Sequence, residues 1–220
     1  MRELGGLFPQ GVLVEVATPE MWDGPLYPEE EISIRNAVSK RRREFAAGRN
    51  CARRALASLG IPARPLPMGN DREVLWPDGI VGSISHCDDL CAVAVARRES
   101  AAGIGLDIER GVPLEPGLVA LICTPAEQVR LKDLPSRLGA PWSTMVFTAK
   151  ESVYKCVFPL VRTFLEFSDV EVDLRPDLSS FEAVIRHPCA AHLPEARLRG
   201  RFVVTGDHVA CGVAIPPAAR

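Results

Sequence analysis

Apolar positions along the 220-residue chain change their period several times, and each change marks a predicted element. Residues 11–17 (GVLVEVA) are valine-rich and mix apolar with polar positions as a strand does. From 28 to 59 the spacing becomes helical. Glu29, Glu30 and Glu31 enrich the first turn, Ile34, Val38, Phe45, Ala52, Leu56 and Leu59 recur at helical steps, and Gly60 with Pro62 stops the run. One long helix, or two in series, is predicted there. The proline-rich stretch 62–78 predicts irregular connection. Short strands are predicted over 80–85, 90–96 and 103–108, and a helix over 112–122. A second helix opens at Thr124, where Thr-Pro-Ala-Glu supplies an N-cap, a proline at the first helical position and Glu127 at the capping-box position. A third is predicted over 142–158, ending before Pro159. Strands return over 169–174, 181–186, 199–205 and 208–215, the last two joined as a hairpin through Gly206 and Asp207. This order predicts an α+β chain of two halves meeting near residue 100.

Composition narrows the picture. Hydrophobic residues make up 47% and charged residues 25%, which fits a globular protein and excludes general disorder. Lysine plus arginine (26) nearly balances aspartate plus glutamate (28), so no global field attracts nucleic acid or anionic lipid, and any basic patch is local. No apolar run reaches the roughly 18 residues of a membrane span, and the chain is expected to be cytoplasmic. Seven scattered cysteines without a CxxC pair predict buried free thiols. Cys87 and Cys91 beside His86 lack a second ligand pair, so no zinc site is expected.

Four stretches could carry chemistry. In Gly-Ile-Gly-Leu-Asp107-Ile-Glu109 the two acids point to one face of a strand with Cα atoms about 7 Å apart, either as a site for an oxygen-seeking divalent cation or as a solvated strand face. In Lys150-Glu-Ser-Val-Tyr-Lys155 a helix sets Glu151 and Lys155 at i and i+4, as a surface ion pair or as a third acid or base beside phosphate-neutralising lysines. The run from Arg41 to Arg53 is the densest basic stretch; Arg49 and Arg53 share a helix face that is either solvated or recognises phosphate. Gly82-Ser-Ile-Ser85-His86 ends a strand with groups able to converge on an anion, or with a histidine bonded to backbone. Markers of Rossmann, P-loop and α/β-hydrolase sites are absent from the sequence.

Taken in order, F-x-x-G-R-x-x-A-R (45–53), W-P (76–77), G-S-I-S-H (82–86), G-L-D-I-E (105–109) and K-E-S-x-Y-K (150–155) resemble the 4′-phosphopantetheinyl transferases of the surfactin-synthetase and enterobactin-synthetase type. The resemblance covers about residues 38–165. It implies a pseudo-twofold fold of two similar α+β halves, here 1–100 and 101–220, with coenzyme A and Mg²⁺ (Mn²⁺ as an alternative) in the cleft between them. It also implies transfer of phosphopantetheine from coenzyme A to a serine of an acyl, aryl or peptidyl carrier protein of fatty-acid, polyketide or nonribosomal-peptide synthesis, with 3′,5′-ADP leaving. Carried over residue by residue, Asp107, Glu109 and Glu151 would hold the metal, and Arg49 and His86 the 3′-phosphate. Arg41, Arg53 and Ser85 would add coenzyme A contacts, Lys150 and Lys155 would neutralise the pyrophosphate, and Phe164 would wall the pantetheine groove. Glu151 would be the base, with Lys155 and Asp107 beside it in the catalytic set and Glu127 a second candidate base. The stretch 66–77, LPMGNDREVLWP, departs from the family pattern, and Arg72 is its candidate substitute cation. A monomer serving a transient carrier partner is expected, together with two rival classes: a coenzyme A binding module without turnover, and a metal-dependent hydrolase.

Overall fold

The computed structural model describes residues 2–135 and 141–217. Its first half opens with a one-turn helix α1 (Arg2–Gly5) and strand β1 (Leu13–Val16). The helical stretch from 28 is broken: α2 (Pro28–Glu31) runs into a single 3₁₀ turn (Ile32–Ile34), and the long helix α3 spans Ser39–Ser58. Strands β2 (Ile80–Cys87) and β3 (Leu90–Arg97) form a hairpin, and β1 pairs with the far side of β3 in a three-stranded antiparallel sheet. The second half is β4 (Gly103–Arg110), α4 (Pro116–Ile122), α5 (Pro125–Asp133), α6 (Trp142–Val161), β5 (Val170–Arg175), β6 (Ser180–Ile185), β7 (Arg197–Thr205) and β8 (His208–Ile215). Its five strands form an antiparallel sheet in the order β4-β8-β7-β6-β5.

Each half thus sets one 20-residue helix on one antiparallel sheet, the two-half α+β arrangement implied by the motifs, with three strands in one half and five in the other. Alternation along the strands arranges the layers. Val93 and Val95 of β3 pack on α3, whereas Ala92, Ala94 and Ala96 face the other sheet and meet Ile104, Leu106 and Ile108 of β4. On the far face of the larger sheet Val209, Cys211 and Val213 pack on α6. The order is helix, sheet, sheet, helix, and the alanine stripe keeps the two inner faces close.

Several strands run one or two residues past their predicted ends, and two helix boundaries shift further. The helix expected over 112–122 starts only at Pro116, and α6 runs through Pro159 to Val161 rather than ending before it. A proline in the last turn removes one i to i−4 bond only, and the turn is closed by Arg162, whose N–H donates to the Phe158 carbonyl at 2.8 Å from a left-handed backbone conformation (φ 50°). Thr124 caps α5 as its sequence predicts: its hydroxyl accepts from the Glu127 N–H and the Glu127 carboxylate accepts from the Thr124 N–H.

β4 is an edge strand of its sheet, and β2 is an edge strand of the other. Edge strands present unpaired N–H and C=O groups that a buried seam must satisfy. Serine side chains do so here. Ser83 Oγ accepts from the Leu106 N–H (3.0 Å) and donates to the Leu106 carbonyl (3.3 Å), and Ser85 Oγ accepts from the Ile108 N–H (3.1 Å).

All seven cysteines are free, six of them buried and Cys87 half-buried. Among the described residues no helix is long and apolar enough to cross a membrane.

Candidate active site

The Gly-Ile-Gly-Leu-Asp-Ile-Glu segment forms β4, and its glycines let α6 approach. A Cβ at Gly105 would lie 1.7 Å from the Ser152 carbonyl oxygen, and one at Gly103 would lie 2.7 Å from that of Cys156. Asp107, two residues after Gly105, therefore faces the same helix. Lys155 Nζ donates to Asp107 Oδ1 at 2.6 Å and lies 3.3 Å from Ser85 Oγ.

Glu109 and Glu151 stand in the same electrostatic field. Burial pushes the Glu109 carboxyl up to about 7, with Asp107 and Glu151 adding to the rise and Lys155 opposing it. Burial, then the Asp107 charge, also raises Glu151, again against Lys155. Asp107 itself is buried, and among the described residues its Oδ2 has no hydrogen-bond partner. The three acids expected to bind metal are thus brought within range of one another's charge. Among the described residues, however, no three His, Cys, Asp or Glu side chains form a ready-made metal cage. The lysine on Asp107 supplies the positive charge at this point.

A cleft of about 1110 Å³ opens beside this cluster between the two halves. Residues 70–79 and β2 line one wall, and Glu151, Tyr154, Lys155, Phe158 and Phe164 line the other. Phe164 is 65% exposed and sits edge-on to Tyr154 (5.6 Å between ring centres), which in turn tilts against Phe158 (5.4 Å). Arg72 lines the cleft in a left-handed backbone conformation (φ 67°). Arg162 reaches across to Glu73 and so ties the end of α6 to the 66–77 stretch.

Near the end of β2 His86 meets α3, within range of the Lys155 and Asp107 charges. Arg41 Nη1 lies 2.9 Å from His86 Nε2, and Glu44 lies 3.8 Å from His86 Nδ1 and 3.6 Å from Arg41. An arginine can only donate, so His86 Nε2 accepts and the proton of the neutral ring sits on Nδ1, facing Glu44. Burial lowers the His86 pKa, which favours that neutral form against the pull of Glu44. Arg49 is buried; its guanidinium stacks on Phe45 at 3.9 Å, its Nε donates to the Leu66 carbonyl, and burial lowers its pKa to about 10.

Four of the expected site residues are engaged by protein partners. Lys150 does not reach the cleft: its ammonium is fully buried, paired with Glu127 at 2.8 Å and donating to the Ile122 and Phe167 carbonyls. Glu127 is equally buried, with its carboxylate bound by Lys150 and by the Thr124 and Val172 N–H groups, and it is not among the residues lining the cleft. Arg53 is taken up by the buried Glu30, at 2.6 Å, and by the Pro25 carbonyl and Asn50. Ser85 points its hydroxyl between the strands, donating to Asp107 Oδ1 at 3.0 Å, away from the His86 face. Sequence reasoning missed Glu44 and the Arg162–Glu73 tie. Glu44 was visible as an acid three residues after Arg41 on the same helix; Arg162 carried no signal, because its role depends on α6 extending past Pro159.

Comparison with known proteins bears on this arrangement. The family profile of the 4′-phosphopantetheinyl transferase N-terminal domain matches residues 29–96, and that of the 4′-phosphopantetheinyl transferase superfamily matches residues 103–210. The chain is 39% identical over 189 residues to the 4′-phosphopantetheinyl transferase Svp of Streptomyces mobaraensis, covering 84% of this chain and 77% of that one. It is 34% identical over 213 residues to the 4′-phosphopantetheinyl transferase PptT of Mycobacterium tuberculosis, covering 91% and 92%. It is 38% identical over 128 residues to enterobactin synthase component D of Salmonella typhimurium, covering 56% and 50%. With both halves matched and nearly the whole length shared with relatives of one kind, the chain belongs to the 4′-phosphopantetheinyl transferase superfamily.

Proposed function

We propose that the cleft takes coenzyme A with its pyrophosphate at the Asp107–Lys155 end, its 3′-phosphate near Arg41, Arg49 and His86, and its pantetheine arm along Tyr154, Phe158 and Phe164. The activity is transfer of 4′-phosphopantetheine from coenzyme A to a serine hydroxyl of a carrier protein, which turns apo carrier into holo carrier. The serine oxygen forms a bond to the β-phosphorus, the bond from that phosphorus to the bridging oxygen breaks, and 3′,5′-ADP leaves with the electron pair. Phosphoryl transfer of this kind needs positioning and charge stabilisation more than covalent help from the protein.

The observation that supports this reading is the meeting of Asp107, Glu109, Glu151 and Lys155 at one end of a cleft long enough for an extended ligand. Lys155 stands where negative charge grows on the leaving group. Glu151 is the group we assign to accept the serine proton, since burial raises its basicity. Asp107, Glu109 and Glu151 would hold Mg²⁺, or Mn²⁺ in its place, an all-oxygen donor set suited to a hard cation. The fit rests on the partnerless buried Oδ2 of Asp107 and on two acids that burial and mutual repulsion leave short of positive charge. When bound, that ion supplies charge to the pyrophosphate. We further assign the boundary between the halves to about residue 100, in the link between β3 and β4, and a monomeric working form, because every group of the site comes from one chain.

Carriers of nonribosomal-peptide, polyketide and fatty-acid synthesis are the candidate acceptors. The test is intact-mass spectrometry of apo carriers incubated with the enzyme, coenzyme A and Mg²⁺, beside Glu151→Gln. One added phosphopantetheine per carrier, lost in the variant, is the expected result. Release of 3′,5′-ADP without any carrier would instead mark a hydrolase, and coenzyme A binding without transfer a binding module.

A further inference from the structure

Ser85 has three bonds around one hydroxyl. It accepts from the Ile108 N–H at 3.1 Å and lies 3.3 Å from the Lys155 ammonium, which can only donate. With both acceptor positions taken, its single proton has one destination, Asp107 Oδ1 at 3.0 Å. Lys155 binds that same oxygen at 2.6 Å. Both donors therefore load one oxygen of the carboxylate, and the other, Oδ2, is left buried and without a partner. A buried carboxylate oxygen with nothing to accept from is unfavourable unless a cation completes it.

We infer that Ser85 is a positioning residue: it fixes the Asp107 carboxylate so that Oδ2 is presented as a free donor to the divalent cation, a role that rests on the cation assignment made above. The neighbouring serine separates this role from plain support of the seam. Ser83 bridges the same two strands through the Leu106 N–H and carbonyl and does not touch Asp107. Loss of either hydroxyl weakens the joint between β2 and β4, and only loss of Ser85 frees the carboxylate to turn.

The experiment titrates magnesium chloride into the full-length protein without coenzyme A and reads the midpoint of the rise in Tm. Groups that orient a metal ligand typically contribute 10- to 100-fold in affinity. Ser85→Ala is expected to raise the midpoint concentration roughly tenfold, whereas Ser83→Ala lowers the metal-free Tm and keeps the wild-type midpoint. Ser85→Cys, close in volume and a weak donor, is expected to shift the midpoint in the same direction and decides the matter if the alanine variant does not fold. A midpoint unchanged by Ser85→Cys or Ser85→Ala, or shifted equally by Ser83→Ala, overturns the positioning role alone. A wild-type protein with no response to magnesium overturns the cation assignment and this inference together.

Discussion

Lys155 Nζ sits 2.6 Å from Asp107 Oδ1, a bond between the sixth helix and the edge strand of the larger sheet. It is a cation set among three acids, so its removal acts on both chemistry and folding. Lys155→Met is expected to lower kcat/KM by two to three orders of magnitude, the usual loss when a preorganised charge is deleted. It is also expected to destabilise the metal-free protein by about 2 kcal/mol, because the bond is to a buried charge. Steady-state kinetics and urea denaturation measure the two effects.

Gly105→Ala is expected to destabilise severely, by about 3 kcal/mol or more, since its Cβ would fall 1.7 Å from the backbone oxygen of Ser152, which cannot swing aside. Gly117 in α4 has nothing within 4 Å of an added Cβ, so Gly117→Ala should be neutral to stabilising by about 0.5–1 kcal/mol. Denaturation midpoints of the pair check the contrast.

Glu109 sets a pH dependence whose sign is fixed by its raised pKa. In the unfolded chain it ionises near 4.5, in the folded metal-free protein at about 7, so between these values the native state binds the extra proton and stability falls as pH rises. His86 has the opposite sign: its folded pKa is lowered, and the stability it contributes is lost as pH falls below about 6.5. Comparison of wild type with Glu109→Gln isolates the first effect. The variant's metal-free stability should decline less between pH 4.5 and 7 than that of wild type, with the remainder due to Glu151, and wild-type stabilisation by Mg²⁺ should grow from pH 5.5 to 7.5 as the cation displaces the proton. A Tm series at three pH values with and without magnesium decides this.

Lys150 and Glu127 form a fully buried pair that does not line the cleft. Lys150→Met should destabilise by roughly 3–5 kcal/mol by stranding the Glu127 charge, and adding Glu127→Gln should recover much of that loss. Folded single mutant retains most of its kcat in the carrier assay, because the ammonium touches no substrate. A kcat loss as deep as that of Lys155→Met would contradict the assignment.

Arg41 and His86 test the placement of the 3′-phosphate. Arg41→Ala is expected to weaken coenzyme A binding about tenfold while leaving the affinity for 3′-dephospho-coenzyme A nearly unchanged, since a charge-assisted contact of this type is worth about 1–2 kcal/mol. Calorimetric titration with the two ligands reads the difference.

Much of this was legible in the sequence. The three strands after residue 80, the Thr124 cap and the acidic pair on β4 all follow from local rules that tertiary packing did not override. The side chains that lie away from the cleft were also open to arithmetic. At 3.6 residues per turn Lys150 and Lys155 lie about 140° apart and cannot face one ligand, while Glu151 and Lys155 can. Ser85 and His86 are adjacent on a strand and so point to opposite faces. What no local rule contains is the partner each face meets. Arg53 reads as a free cation until Glu30, 23 residues earlier, is folded beneath it, and the break after Glu31 reflects the packing of the 3₁₀ turn, whose Ile34 is buried, rather than any proline or glycine.

Rotating hydroxyls, not a continuous backbone ladder, close the seam between β2 and β4. Ladder pairing locks register, so that a slip of one residue inverts every side chain along a strand. Separate fasteners hold the register at two points only, Ser83 on Leu106 and Ser85 on Asp107 and Ile108. Each half can therefore take substitutions on its outer faces without breaking a shared ladder, so long as the few hydroxyl contacts across the seam are kept.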